Sequence, residues 1–141
     1  EKLWKPYGME RDAIWMVDKA GHERGGCCMS MTLRDYARIG TFMLGGGVID
    51  GKSILPAGWV EDATTNHVPG KQAEKDSYGY FWWPIENGYL AIGIFGQGIY
   101  VYPKENLVIA VNSAMKKASD KTQSQKMGAL IGAIRAAANG E

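Results

Sequence analysis

Cysteine is scarce in this chain: two residues in 141, adjacent at Cys27 and Cys28. Neighbouring cysteines cannot staple distant parts of a fold. They can close a strained vicinal disulfide or act as soft metal ligands. With no third cysteine, and histidine only at His22 and His67, the spacing of a zinc site is missing. The preferred expectation is two small buried thiols after the Gly25-Gly26 turn, the usual setting of free cysteine. An excess of one charge is lacking too: 16 Lys and Arg stand against 15 Asp and Glu, interspersed. That gives no basic stripe for nucleic acid and no charged tail. No apolar run approaches the ~20 residues that span a bilayer, and no signal peptide is recognisable. Neither nucleic acid nor membrane is an expected partner, and no metal or cofactor is expected. Nothing here selects a compartment.

What is present is ordinary globular material, 45% hydrophobic and 22% charged. A chain of this one-domain length buries a core without needing a metal or a disulfide. The opening "EKLWKPYGMERDAIW" has no initiator Met and starts inside what reads as a helix end, Glu1 to Trp4. The expectation is the later part of something longer, or a trimmed product.

Glycine marks the loops. "KAGHERGG" is loop chemistry, ended by Gly25 and Gly26. Thr32 then opens a helix, with Asp35 in a capping-box position. Leu33, Tyr36, Ala37, Gly40 and Leu44 fall on one helical face, and Gly45-Gly46-Gly47 stops it. "VIDGKSIL" reads as a hairpin about Asp50-Gly51. Pro56 suits a first helical position before the short helix "AGWVEDATT". Residues 66–77 read as a mobile polar loop.

From Tyr78 the period becomes two. "YGYFWWPI", "GYLAIGIF", "GQGIYVYP" and "LVIAVNS" read as antiparallel strands. The last is apolar on both faces and expects cover on both. "TQSQKMGALIGAIRAAANG" supplies one helix, with Met127, Leu130, Ile131, Ile134 and Ala138 on its stripe. The other sheet face then wants cover from elsewhere. The fold class is α+β: a single partial domain, with a helical and loop segment over 1–77 and an antiparallel sheet with a packed C-terminal helix over 78–141.

"LWKPYGM", "GGCCMSMTLRDYARIGTFML", "GGGVIDGKSILPAGWVE", "YGYFWW" and "GIFGQGIYVYPKENLVIAV" together resemble the later half of the serine β-lactamase-like hydrolases. That superfamily includes class C β-lactamases, penicillin-binding carboxypeptidases, related esterases and the 6-aminohexanoate-dimer hydrolases, the last being most similar. The resemblance implies a partial β-lactamase-like fold and acyl-enzyme hydrolysis of an amide or ester. In that chemistry a base activates a serine, and backbone N–H groups stabilise the oxyanion. It also implies that Ser-x-x-Lys and Tyr-x-Asn lie before the residues matching Glu1, so this chain lacks its nucleophile and base. "GIFGQ", Gly93 to Gln97, matches the cleft strand, with no Lys in it. Interior glycine there leaves room for a substrate or a close backbone; the plainer alternative is a bulged core strand. The candidate substrate-binding residues are Gly93, Ile94, Phe95, Gly96 and Gln97.

Trp82 joins them by alternation. Tyr80 and Trp82 share one face, and Phe81 and Trp83 the other; one face fills core and one walls the cleft. Trp15 and Trp59 read as packing residues. A literal Ser-x-x-Lys, Ser113 to Lys116, ends a strand rather than starting a helix and reads as chance. Asp35 reads as a cap with surface pairing, and His22 and His67 as solvated loop residues without carboxylate partners. Two functions compete. One is the C-terminal part of a serine hydrolase, silent until its N-terminal portion is supplied. The other is a non-catalytic module that self-associates through an exposed sheet face.

Overall fold

The computed structural model of the chain describes residues 2–68 and 77–140. The expected polar loop therefore falls largely outside the described residues, at 69–76, as does Glu1. The opening residues make turns, with Tyr7 N–H reaching Leu3 O and Gly8 N–H reaching Lys5 O, in place of the expected helix end. Pro6 has no N–H with which to continue a helix. One short antiparallel pairing follows, β1 (Ile14–Trp15) with β2 (Met29–Ser30).

Helix α1 (Leu33–Leu44) begins as its cap predicts, the Thr32 hydroxyl accepting from the Asp35 N–H. Asp35 does more than cap. It is 0% exposed and accepts from the amides of Glu10 (2.6 Å) and Arg11 (3.1 Å), the Thr32 hydroxyl (2.8 Å) and the Arg38 guanidinium (2.9 Å). One carboxylate thus ties the N-terminal segment to α1. The expected pairing forms with Arg38, but the carboxylate itself is buried instead of lying at the surface. Burial pushes this carboxyl upward. The amide of Glu10, the hydroxyl of Thr32, the amide of Arg11 and the Arg38 guanidinium together outweigh it and hold the group below the usual 3.8.

The hairpin about Asp50-Gly51 forms as expected, β3 (Val48–Ile49) against β4 (Lys52–Ser53). Helix α2 (Trp59–Ala63) starts later than Pro56, whose carbonyl instead accepts from Trp59 N–H across a turn.

The sheet has four antiparallel strands in sequence order: β5 (Trp83–Ile85), β6 (Gly88–Ile92), β7 (Gly98–Tyr102) and β8 (Leu107–Val111). A 3₁₀ turn, Pro103–Glu105, joins the last two. The register sets Val101 opposite Tyr89 and Val108, and Tyr100 opposite Leu90 and Ile109. Alternation then sends Tyr89, Ile99, Val101 and Val108 to one face, against Phe42 and Met43 of α1. Tyr102 and Ile109 turn to the other face, against Ile131 of α3 (Lys121–Ala138). Cover for the second face, expected from elsewhere, comes from α1 itself. Gly40 makes that possible: a Cβ there would stand 2.5 Å from Val108 Cγ1 and 2.7 Å from Ile99 Cγ2.

Two departures concern the sheet's edges. Strand pairing begins only at Trp83, not at Tyr78, because Phe81 takes φ +65° and breaks the extended run. Holding a bulky residue in the left-handed region costs about 1–2 kcal/mol. Edge strand β5 also carries Pro84 at its centre. Helix α3 buries only part of its predicted stripe: Ile131 packs, while Leu130 and Ile134 are exposed. Its C-terminal turn is anchored by Arg135, whose Nε lies 2.7 Å from each oxygen of Glu105. The same guanidinium sits 4.4 Å over the Tyr102 ring.

Two consequences are measurable. Gly40→Ala should lower urea stability by about 1–3 kcal/mol through overpacking against β7 and β8. Asp35 should make the fold acid-sensitive. Its folded pKa is depressed, so its contribution is full above 3.8 and is lost as pH falls below that toward the lower folded value. Asp35→Asn should be less stable at neutral pH and should lose this part of the acid dependence, measured by urea melts across pH.

Candidate active-site cleft

The segment Gly93–Gln97 is a turn, not the glycine-interrupted strand that the sequence suggests: β6 ends at Ile92 and β7 starts at Gly98. Gly93 N–H donates to Gln97 O at 2.9 Å, and Gly96 N–H to Gly93 O at 3.0 Å. Gly96 has φ +86°, which explains that glycine. Gly93 has another reason. A Cβ on it would lie 2.1 Å from Gln97 Nε2 and 2.4 Å from Gln97 Cδ, so the amide side chain folds over this backbone.

The linker after β8 clips the turn from outside. Met115 N–H donates to Phe95 O at 3.1 Å, and Ser119 N–H to Ile94 O at 2.7 Å. Both central carbonyls are thereby drawn toward the linker. The N–H groups of Ile94 and Phe95, in contrast, donate to no backbone acceptor among the described residues. The Gln97 Oε1 atom is buried and accepts no hydrogen bond among the described residues. An unmade bond of this kind costs about 1–3 kcal/mol, so it calls for an explanation.

A cleft of about 800 Å³ opens on one side of the turn. Trp82 is 8% exposed and packs edge-on against Tyr89 at 5.2 Å, so it serves core and cleft floor together. Phe95 and Gln97 form one wall, Phe81 another, and the Gly25–Met31 segment the third. On that third wall Cys27 and Cys28 are joined as a vicinal disulfide and are exposed, which corrects the expectation of buried thiols. Trp15, expected to pack, lies at the same rim and donates Nε1–H to Arg24 O at 3.0 Å. Gly93, Ile94 and Gly96 line a second hollow of about 540 Å³, toward Trp83, Ile92 and Met127. The turn is therefore a partition, and the predicted site residues divide between its two sides.

No charged side chain lines the larger cleft among the described residues. Tyr36 lies at its floor, and burial first, then the nearby Tyr100, raises its phenol above the ordinary 10.0. It stays protonated at neutral pH and is a donor there, not a base. Ser113 reaches the cleft, its Oγ 3.0 Å from where a Gly96 Cβ would be, yet Lys116 is exposed and no base contacts that hydroxyl among the described residues. The arrangement can accommodate an uncharged group; it holds no activated nucleophile among the described residues.

Beside the cleft, His67 is not the solvated loop residue expected. It stacks on Tyr80 at 4.5 Å and reaches Asp62 Oδ1 at 3.2 Å. His22 likewise has a carboxylate, Asp18, at 3.6 Å. Trp59 is exposed and faces Tyr80 at 5.6 Å instead of filling core. Alternation puts Phe81 on a face that could wall the cleft without making it a site residue, and the vicinal disulfide is the less favoured expectation for Cys27 and Cys28; both features line the cleft. The Gly-Gly-Cys-Cys run signalled the second; nothing local in the sequence signals the left-handed Phe81.

No family model matches the sequence. A Paenarthrobacter ureafaciens protein named 6-aminohexanoate-dimer hydrolase is 34% identical over 118 residues, covering 76% of this chain and 30% of its own length. A solved Bacillus anthracis structure, also named for that hydrolase and provisionally so, superposes with a TM-score of 0.73 at 29% identity. The match takes in 92% of this chain and 36% of that one. The chain thus spans about a third of the length of the relatives it matches.

The packing of Gln97 on Gly93 can be tested directly. Gly93→Ala should destabilise the fold, and adding Gln97→Ala should restore part of the loss, a coupling of about 1 kcal/mol in a double-mutant cycle. Purely additive losses would show that the amide does not pack there.

Proposed function

From a chain that is a portion of a β-lactamase-like hydrolase, related to the 6-aminohexanoate-dimer hydrolases, we propose a C-terminal half-site for acyl transfer. It supplies one wall of a pocket that cleaves a linear amide or ester, and other sequence supplies the nucleophilic serine and its base. The observation that carries this reading is the Gly93–Gln97 turn. Its Ile94 and Phe95 carbonyls are tied to the linker while their N–H groups stay unengaged by backbone acceptors. Donors fixed in advance are what an oxyanion needs, because no reorganisation is required when charge develops. An uncharged cleft suits a neutral amide or ester rather than a substrate gripped by its carboxylate.

In this reading the chain alone is catalytically silent. The second hollow, with exposed Ile92 nearby and Leu130 and Ile134 on α3, seats the remainder of the hydrolase. The same exposed residues favour a second reading, a self-associating module without catalysis.

The chain alone should resist a fluorophosphonate probe. Mixed with the N-terminal remainder of the Paenarthrobacter relative, it should restore labelling of that remainder and hydrolysis of a p-nitrophenyl ester. Ile94→Pro keeps the turn, since proline suits its second position, but deletes the N–H. It should cut the restored rate about 10²–10³-fold if Ile94 is the donor. Labelling of the lone chain that disappears in Ser113→Ala would overturn the proposal. A dimer in sedimentation that never complements would favour the second reading.

A further inference from the structure

Six non-glycine residues in the described chain have positive φ: Cys28, Asp50, Phe81, Asn87, Asn106 and Ser119. Three of these are Asp or Asn, which tolerate the left-handed region locally. The other three border the two concavities on either side of the Gly93–Gln97 turn. Cys28 and Phe81 line the larger cleft, and Ser119 lines the hollow behind the turn, holding Ile94 O. Strain concentrated at a concave surface is a signature of function, because elsewhere it is readily relieved by substitution.

Phe81 is the hardest of these to explain by folding. Its φ is +65° and it is 71% exposed, so the ring contributes little to the core. This chain uses glycine freely at left-handed positions, at Gly51, Gly58 and Gly96 among others. A glycine would serve the backbone at 81 as well. What only the phenylalanine provides is a ring at the cleft wall. Across the cleft stand Phe95, Met29 and Met115, apolar and unbranched or flat, with no charged side chain among the lining. Thioethers and aromatic faces adapt to a slender hydrocarbon chain.

We propose that Phe81 is a substrate-contacting, specificity-determining residue, whose ring holds an uncharged, unbranched aliphatic segment against Phe95 and the cleft methionines. This rests on reading the cleft as part of an amide or ester site. The ring adds an apolar face to the cleft wall, and the strained backbone is what carries it there.

The test uses the 141-residue chain and N-butylhexanamide as the probe, with titration by calorimetry or NMR and a thermal melt of each variant. Phe81→Ala should weaken binding about tenfold and leave the melting temperature unchanged, since alanine keeps the strain. Phe81→Gly should weaken binding equally and melt higher, since glycine removes it. Hexanoate, an anion, should bind more weakly than the amide in every case. Unchanged affinity in Phe81→Ala, alongside a loss in Phe95→Ala, would overturn the role of Phe81 and leave the cleft reading standing. No binding by the unsubstituted chain would overturn both. Lowered melting temperatures in both Phe81 variants would mark the ring as structural and overturn the proposal.

Discussion

Everything on the cleft side depends on how closely α1 approaches the sheet. At Gly40 there is no room for even one carbon between the helix and Val108 or Ile99. That contact closes one face of β7, leaving Val101 0% exposed, while Ile131 of α3 packs by Tyr102 and Ile109 on the other. A strand clamped from both sides fixes the two ends of the β6–β7 connection. The Gly93–Gln97 turn therefore projects from a rigid base, the condition under which backbone donors can be preset. Asp35 extends the same order outward, since its four donors tie the N-terminal residues to the helix that lies on the sheet.

The turn acts as a wall with two different sides. Phe95 and Gln97 face an uncharged cleft, whereas Gly93, Ile94 and Gly96 face a hollow under α3. Met115 borders both and donates its N–H to the turn. A single short segment thus sets the shape of two concavities. Packing on one side of the segment thereby steadies the backbone that walls the other.

Much of this architecture was legible from the residues. Thr32 with Asp35 announced α1, Asp50-Gly51 announced a hairpin, and period-two alternation announced the sheet. These are local signals, in which neighbouring side chains decide the backbone. The misread features are those settled at a distance. Gly93 looked like an interrupted strand because its cause, the folded-back Gln97 amide, is four residues on and visible only in three dimensions. The burial of Asp35 depends on amides 24 and 25 residues away. Leu130 and Ile134 continue a periodic stripe, yet α3 buries Ile131 and is anchored by Arg135 on Glu105, a pairing no periodicity reveals. Among cleft residues, the glycine-rich turn could be found from its motif, whereas Phe81 could not, since its conformation contradicts its own preference.

The sheet's two borders are chemically unlike. On one side stands a three-residue strand with a proline at its middle, short of a donor and too brief to template anything. On the other runs Leu107–Val111, five residues whose ladder is satisfied toward β7 alone among the described strands. Lateral growth of this sheet is therefore directional. An additional strand, from whichever polypeptide, finds the longer ladder, uninterrupted by proline, along that second margin.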